Sequence, residues 1–290
     1  MSLAPLALVV VAAVVHATWN LLAKRAAAAG PTFVFASNVV SCVAYLPWVA
    51  WIMATGTLTW SLPGLVCIAA SGIIHLAYSL CLQRGYQVAD LSVVYPVARG
   101  TGPMLASLGA FVLLGEAPTP ARVLGLLAVV AGIGLISTQG NIAGFRRSGG
   151  QAGVGWGAAT GSLIASYSVV DACGVKTLGI QPVVLDWCAS LLRLFALAPV
   201  VLYNPARARM LMQGRWLLAV SVGLLAPLSY ILVLTALELG APLSFVAPAR
   251  EMSMMVAALF GVLLLREPVG AARLAGCLVL MVGVILLGAA

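Results

Sequence analysis

Ten apolar runs fill the chain at residues 3–23, 32–54, 62–84, 91–114, 121–138, 153–173, 181–203, 216–237, 243–265 and 272–290. A bilayer core about 30 Å thick needs roughly 20 apolar residues per helix, and each run meets that length. The breaks between them carry turn residues or charge: Gly30-Pro31, Thr55-Gly56-Thr57, Arg84-Gly85, Glu116–Pro120, Arg146–Gly150, Lys176–Gly179, Asn204-Pro205, Glu238–Pro242 and Arg266–Pro268. The pattern predicts an all-α integral membrane protein with ten transmembrane helices.

Polar residues interrupt some runs and spare others. The first run has His16, Trp19 and Asn20, whose spacings of three and four put them on one helix face. The third has Ser71, His75, Tyr78 and Ser79. The fourth has Tyr95, Arg99 and Gly102 on one stripe, with Pro96, Gly100 and Pro103 weakening its backbone ladder. The sixth presents Ser162, Ser166, Tyr167 and Asp171, and the eighth Ser229, Tyr230 and Thr235 after Pro227. The ninth has Ser244, Phe245, Pro248, Arg250, Glu251 and Ser253. Polar groups at bilayer depth are costly, so they face a protein interior or a water-filled cavity. Runs five and ten have almost no polar side chains. They carry Gly125/Gly132 and Gly276/Gly283, seven apart, on a helix-packing face. Runs 1, 3, 4, 6, 8 and 9 are therefore expected to line a cavity. Runs 5 and 10 are expected to brace it or to pair with each other. Runs 2 and 7 are less determined; Asp186 and Arg193 in run seven read as a helix-end charge and an interhelical salt bridge.

The same pattern occurs twice. Residues 98–136 align without a gap to 249–287, with 14 of 39 positions identical, including Arg99/Arg250, Glu116/Glu267, Gly125/Gly276 and Gly132/Gly283. Upstream, a shift of 152 aligns Tyr78/Tyr230, Ala89/Ala241, Ser92/Ser244 and Pro96/Pro248. Ten crossings over two repeats give five each. An odd number forces the second copy to face the other way, so the expected architecture is two inverted five-helix repeats. Their bounds are 1–138 and 152–290, joined by a cytoplasmic linker at 139–151.

Composition agrees: 63% of residues are apolar and 8% charged, with a mean hydropathy of +1.12. The net charge of +8 is spread over short connections rather than gathered into a nucleic-acid patch. Lysine and arginine in loops set orientation. Ten (Lys24, Arg25, Arg84, Arg146, Arg147, Arg207, Arg209, Arg215, Arg266, Arg273) follow odd-numbered runs, and only Arg122 and Lys176 follow even-numbered ones. This bias places odd-numbered loops in the cytoplasm and both termini outside. The first run lacks a basic leader and is interrupted by His16, Trp19 and Asn20, so it reads as a retained helix rather than a signal peptide.

Other functions find little support. The six cysteines lie inside apolar runs without metal-ligand spacing, and two histidines about 60 residues apart do not form a metal site. There is no P-loop, nucleophile elbow, HExxH or dinucleotide fingerprint, and the loops are too short for an ATPase. No cofactor or metal is expected. A membrane enzyme would need clustered carboxylates or histidines, and the seven carboxylates are scattered over both halves. A non-transporting chaperone or sensor stays open as an alternative.

The polar residues suit a small-molecule carrier. Arg99 and Arg250 stand at equivalent repeat positions, where each either pairs with Asp171 or Glu251 or holds a substrate carboxylate in its two-pronged guanidinium fork. Asp171 and Glu251 are candidates for coupling to protons, and His16 and His75 titrate in a useful range unless held neutral. Trp19 fits an interfacial belt as well as a cavity wall. The expected cavity residues are His16, Trp19, Asn20, His75, Tyr78, Tyr95, Arg99, Tyr167, Asp171, Tyr230, Arg250 and Glu251.

The stretch LxxGYQVADLSVVYPVARGTGPMLASLGAFVLLGEAPTPARVLGLLAVVAGIGLI resembles the EamA repeat of the drug/metabolite transporter superfamily. The marks are Glu116 and Glu267 after Leu-rich helices, the Gly-containing helix that follows each, and Pro96 and Pro248 in the fourth and ninth runs. HATWNLLAK at 16–24 and YSVVDACGVK at 167–176 look like the opening helices of the two repeats. The resemblance implies a ten-helix transporter of a bacterial-type inner membrane, and the chain is expected to work as a monomer. It further implies export of amino acids or related metabolites, with drugs and other organic metabolites as the alternative cargo. Many relatives keep both termini in the cytoplasm, whereas the loop charges here argue for the opposite orientation.

Overall fold

The computed structural model describes residues 3–55, 60–89, 91–139, 141, 150–265 and 270–289. Helices account for nearly all of them: α1 (Leu3–Arg25), α2 (Gly30–Ala54), α3 (Leu62–Val88), α4 (Leu91–Leu113), α5 (Pro120–Thr138), α6 (Gly150–Lys176), α7 (Pro182–Leu202), α8 (Pro205–Met212), α9 (Trp216–Glu238), α10 (Leu243–Ala249), α11 (Met252–Leu265) and α12 (Ala271–Ala289). Among the described residues nine spans are long and apolar enough to cross a membrane, with α10 and the start of α11 counted as one. At 1.5 Å per residue, the 23 residues of α4 reach about 34 Å. Its apolarity is lowered by Arg99, Pro96, Pro103 and three glycines, so it has the length of a span but not the composition.

Local chemistry starts the helices where the sequence breaks. The Ser61 hydroxyl accepts from the Gly64 amide (3.1 Å), Thr119 from Arg122 (3.3 Å) and the Asn204 side chain from Arg207 (3.0 Å), each followed by proline in the first turn. The 204–215 connection, expected as loop, contains the short helix α8, with Arg207 and Arg209 exposed. The 139–151 linker is largely outside the described residues, as is Glu267; α6 already begins at Gly150.

The ninth run is not one helix. It breaks at Arg250-Glu251, between α10 and α11. Pro248 has no N–H for the Ser244 carbonyl, and the Ser107 hydroxyl approaches that oxygen at 3.5 Å. Beyond it the ladder tightens to three-residue steps, Glu251 N–H to Pro248 (3.0 Å), Ser253 to Arg250 (3.2 Å) and Met254 to Glu251 (2.9 Å). Broken backbone at membrane depth is tolerated only inside protein or beside a cavity, and residues 243–251 are all buried.

Packing couples the two halves of the chain. α1 packs on α9, α4 on α6, α3 on α6, α2 on α7 and α5 on α12, with further contacts of α1 with α11, α9 with α2 and α3 with α7. Exchanging the halves maps these pairings onto one another. Gly125 and Gly132 meet Gly283 and Gly276 across α5 and α12; a Cβ on Gly132 would lie 2.7 Å from the Leu280 backbone nitrogen and 2.8 Å from the Gly276 oxygen. The largest apolar core gathers Val9, Ala110, Ile133, Leu234, Leu237, Phe245 and Leu280 at one end of the molecule. The outer surface is apolar as well, with Val43, Trp51, Val112, Phe195, Leu217 and Ile285 exposed. Lipid is the medium in which such a surface costs nothing.

Candidate functional site

A cavity of about 330 Å³ occupies the other end of the molecule. Its walls come from the last turns of α1 (Trp19, Asn20), the first half of α2 (Ser37, Asn38, Ser41), the first halves of α4 and α7, and the middle of α3, α6 and α9. Exposed Asn20 stands at its mouth and bonds the His16 carbonyl of its own helix (2.8 Å).

Its polar lining falls into two linked groups. In the first, Arg99 Nε lies 3.1 Å from Glu251 Oε2 and Arg250 Nε 4.0 Å from Glu251 Oε1. One fully buried carboxylate thus serves two guanidiniums. The contacts are of charge rather than of aligned hydrogen bonds, since these nitrogens and both Glu251 oxygens lack a hydrogen-bond partner. The Arg99 Nη2 also approaches His16 Nε2 (3.5 Å), and its guanidinium lies 5.6 Å from the Tyr95 ring centre. In the second group, His75 Nε2 is 3.2 Å from Asp171 Oδ2, and the Tyr230 hydroxyl donates to the same oxygen. Tyr167 links the two groups. It stacks on His75 with centroids 4.0 Å apart, sits edge-on to Tyr78 and Tyr230, and faces the Arg250 guanidinium at 5.9 Å. Trp19 stands edge-on to His16 and donates its ring N–H to Ser229 Oγ (3.1 Å).

Ten of the twelve expected residues line the cavity: His16, Trp19, Asn20, His75, Tyr78, Tyr95, Arg99, Tyr167, Tyr230 and Arg250. Asp171 and Glu251 do not. Both are fully buried behind the lining and hold the side chains that form it. The structure also adds residues that helix-by-helix reading left out. Ser37, Asn38 and Ser41 on α2 and Asp186, Ser190 and Arg193 on α7 reach the same cavity. Their signal in the sequence was present but weak, a polar stripe on α2 at spacings of three and four. Among the described residues Asp186 and Arg193 form no salt bridge; Arg193 donates to Ser190 Oγ of its own helix (2.7 Å). Conversely, Ser162 and Ser166 face outward and bond their own helix backbone.

Residues 3–138 match the EamA-like transporter family. The match covers just under half of the chain, its first half. EamA proteins are transporters of the drug/metabolite transporter type, not enzymes, and they handle small molecules. No curated protein matches the chain by sequence. A solved structure described as the crystal structure of a protein superposes with a TM-score of 0.75, over 99% of this chain and 96% of that one, at 19% identity. At that identity the likeness is one of fold.

Glu116, just past the end of α4, closes the molecule opposite the cavity mouth. Glu116 Oε1 accepts from the Leu243 amide (2.6 Å), and Oε2 accepts from the Ser244 amide (3.0 Å) and hydroxyl (2.6 Å). Lys176 Nζ stands 3.6 Å from Oε1 and donates to the Ala241 carbonyl (3.1 Å). A carboxylate from one half thus caps a helix of the other, where a negative charge meets unpaired amides. Glu116→Ala is expected to loosen this junction by about 1–2 kcal/mol, the usual cost of a lost cap. Hydrogen exchange of the 241–246 amides should rise by roughly tenfold or more, since 1.4 kcal/mol is a factor of ten. Unchanged exchange would show that packing alone holds the end shut.

Proposed function

We propose that the chain is a secondary transporter that exports small metabolites, amino acids foremost, by alternating access between two inverted five-helix repeats. In this reading α4 is the tenth span, despite its polar centre, because its length suffices and its Arg99 is paired inside the protein. The observation that carries the reading is Glu251 shared by Arg99 and Arg250 at a cavity wall: one carboxylate between two guanidiniums leaves a positive charge to be met by a second, incoming carboxylate. A cavity of about 330 Å³ is at the small end of ligand pockets, roughly 300–1,000 Å³, which suits a small metabolite.

The open and closed ends match two gates. The Glu116 junction holds one end shut, and the cavity faces the end where the arginine-rich loops gather. Loop charge assigns that end to the cytoplasm and both termini to the outside of a bacterial-type inner membrane, so this conformation would load substrate from within. Pro96, Gly100 and Pro103 in α4 and the break at Arg250-Glu251 supply bending points. The Gly-packed pair of α5 and α12 would remain as scaffold. The carrier works as a monomer in this reading, with export either driven by the substrate gradient or exchanged for protons through Asp171 or Glu251.

Counterflow of radiolabelled amino acids in proteoliposomes tests the reading. Uptake against preloaded unlabelled amino acid is expected, and Arg250→Ala should abolish it. Absence of flux for every amino acid would remove the amino-acid assignment. A pH gradient that accelerates uptake would establish exchange for protons. A cysteine placed at position 2 and another in 204–215 would report the orientation by their reactivity to impermeant thiol reagents.

A further inference from the structure

Among the described residues Asp186 is the one carboxylate that lines the cavity directly, and it makes no hydrogen bond or ion pair there. It is 93% buried, being 7% exposed. Its carboxyl faces the cavity rather than a protein donor, so its charge is left for cavity water, a proton or a bound cation to meet. Arg193, two turns further along α7 and bonded to Ser190, acts on it through space without forming an ion pair with it. Around Asp186 lie Ser41 and Tyr45 of α2, Ser190 and Pro227; the Tyr45 hydroxyl is turned to the Leu224 carbonyl (2.7 Å). The charged groups close enough to act on it are Arg193 of its own helix and Asp171 of α6. Asp171 adds a second unmet acceptor, since its Oδ1 is buried without a partner while Oδ2 serves His75 and Tyr230.

Height in the helices sorts these charges. Asp186 is four residues from the start of α7 and Asp171 five from the end of α6, both within roughly 8 Å of the closed face. Arg250 is seven residues into the α10 segment and Arg99 eight into α4, which puts both nearer mid-depth. The cavity is therefore acidic at its closed end and basic at its middle.

We infer that Asp186 is an ammonium subsite: it recognises the amine of a substrate whose carboxylate, where there is one, lies toward Arg99 and Arg250. A primary ammonium has three donors, and Asp186 and the Ser41 hydroxyl can accept two of them; Ser190 is already taken by the Arg193 guanidinium. The orientation of a zwitterion rests on the proposed amino-acid transport, whereas the amine requirement itself does not.

Purified protein in nanodiscs can be titrated with the twenty amino acids and with putrescine, agmatine and butylamine, using the fluorescence of Trp19 and Trp187 as the signal. For each amino acid that binds, its deamino carboxylate and its decarboxylated amine are compared. Asp186→Asn is expected to weaken every amine-bearing ligand at least about tenfold, the scale of a lost hydrogen bond to a charged group. It should leave the deamino carboxylates within about twofold, while Asp186→Glu keeps the order of preference. Equal weakening of amine and carboxylate ligands, or none, would overturn the assignment, as would failure of any amine-bearing compound to bind the unmutated protein. Binding of simple amines but no amino acid would instead defeat the amino-acid function and leave this subsite standing. Should Asp186→Asn not fold, labelling of Asp186 in the unmutated protein by dicyclohexylcarbodiimide, read by peptide mass spectrometry, carries the test. Labelling should fall in the presence of the amine and not of its deamino analogue; unchanged labelling with the amine refutes the subsite.

Discussion

Glu251→Gln is expected to lower stability by about 3–5 kcal/mol and to abolish transport, because it leaves two buried guanidiniums without a counter-charge. Glutamine keeps the shape of the side chain, so any loss reports charge rather than volume. Glu251 is fully buried, and the side chains of Arg99 and Arg250 are only 12% and 7% exposed. Thermal unfolding in detergent reads the stability, and counterflow reads the function. Replacing Arg99 and Glu251 together by leucine separates the two roles. Removing the close pair at once spares most of the burial penalty, so stability should recover in part. Transport should not recover, since the positive wall has gone. If Glu251→Gln unfolds at the unmutated temperature and still carries substrate, the shared carboxylate is not what organises the cavity.

Gly132→Leu and Gly283→Leu should each disrupt the contact of α5 with α12. A single Cβ at Gly283 would stand 2.7 Å from the Gly125 oxygen and 2.7 Å from the Val129 nitrogen, and both are backbone atoms that no side-chain rotation can move. Even alanine must push the helices apart, at the roughly 1–3 kcal/mol typical of overpacking, and leucine should exceed that. Gly134 is the control: a Cβ there meets nothing within 4 Å, so Gly134→Ala should be neutral or raise stability by about 0.5–1 kcal/mol, the usual gain over glycine in a helix. Thermal unfolding of the purified variants checks the order. A Gly132→Leu protein as stable as Gly134→Ala would mean that the two helices are not pressed together through their glycines.

Much of this architecture was legible in the chain. The apolar runs were long enough, and their caps distinct enough, that the helices start and stop within about a turn of the breaks in the sequence. Gly125, Gly132, Gly276 and Gly283 marked the pairing of α5 with α12 because small residues at that spacing have little use except close approach. That Arg99 needs an opposite charge was legible for the same kind of reason, but the chain left Asp171, Glu251 and a substrate carboxylate open as its partner, and the structure places Glu251 beside it.

Other features depended on neighbours distant in sequence. Asp186 read as an ordinary helix-end charge, because its distance from a helix terminus is visible in the chain and its exposure to a shared cavity is not. Glu251 and Asp171 had the residue types of a cavity wall yet stand behind it, since depth along a helix is encoded in sequence position but depth behind a neighbour is not. The break at Arg250-Glu251 needed Ser107, 137 positions from the carbonyl that it approaches.

What the sequence determined by itself is the medium and the parts: helices for a bilayer, one stripe of polar residues on most of them, and a duplicated plan. Hydrophobicity and helical period act over a few residues and so can be read locally. The tertiary structure alone decided which end is shut by Glu116, which carboxylates face the cavity and which only hold its walls. Those outcomes are set by the packing of helices from opposite halves, where the partner of a residue lies a hundred or more positions away.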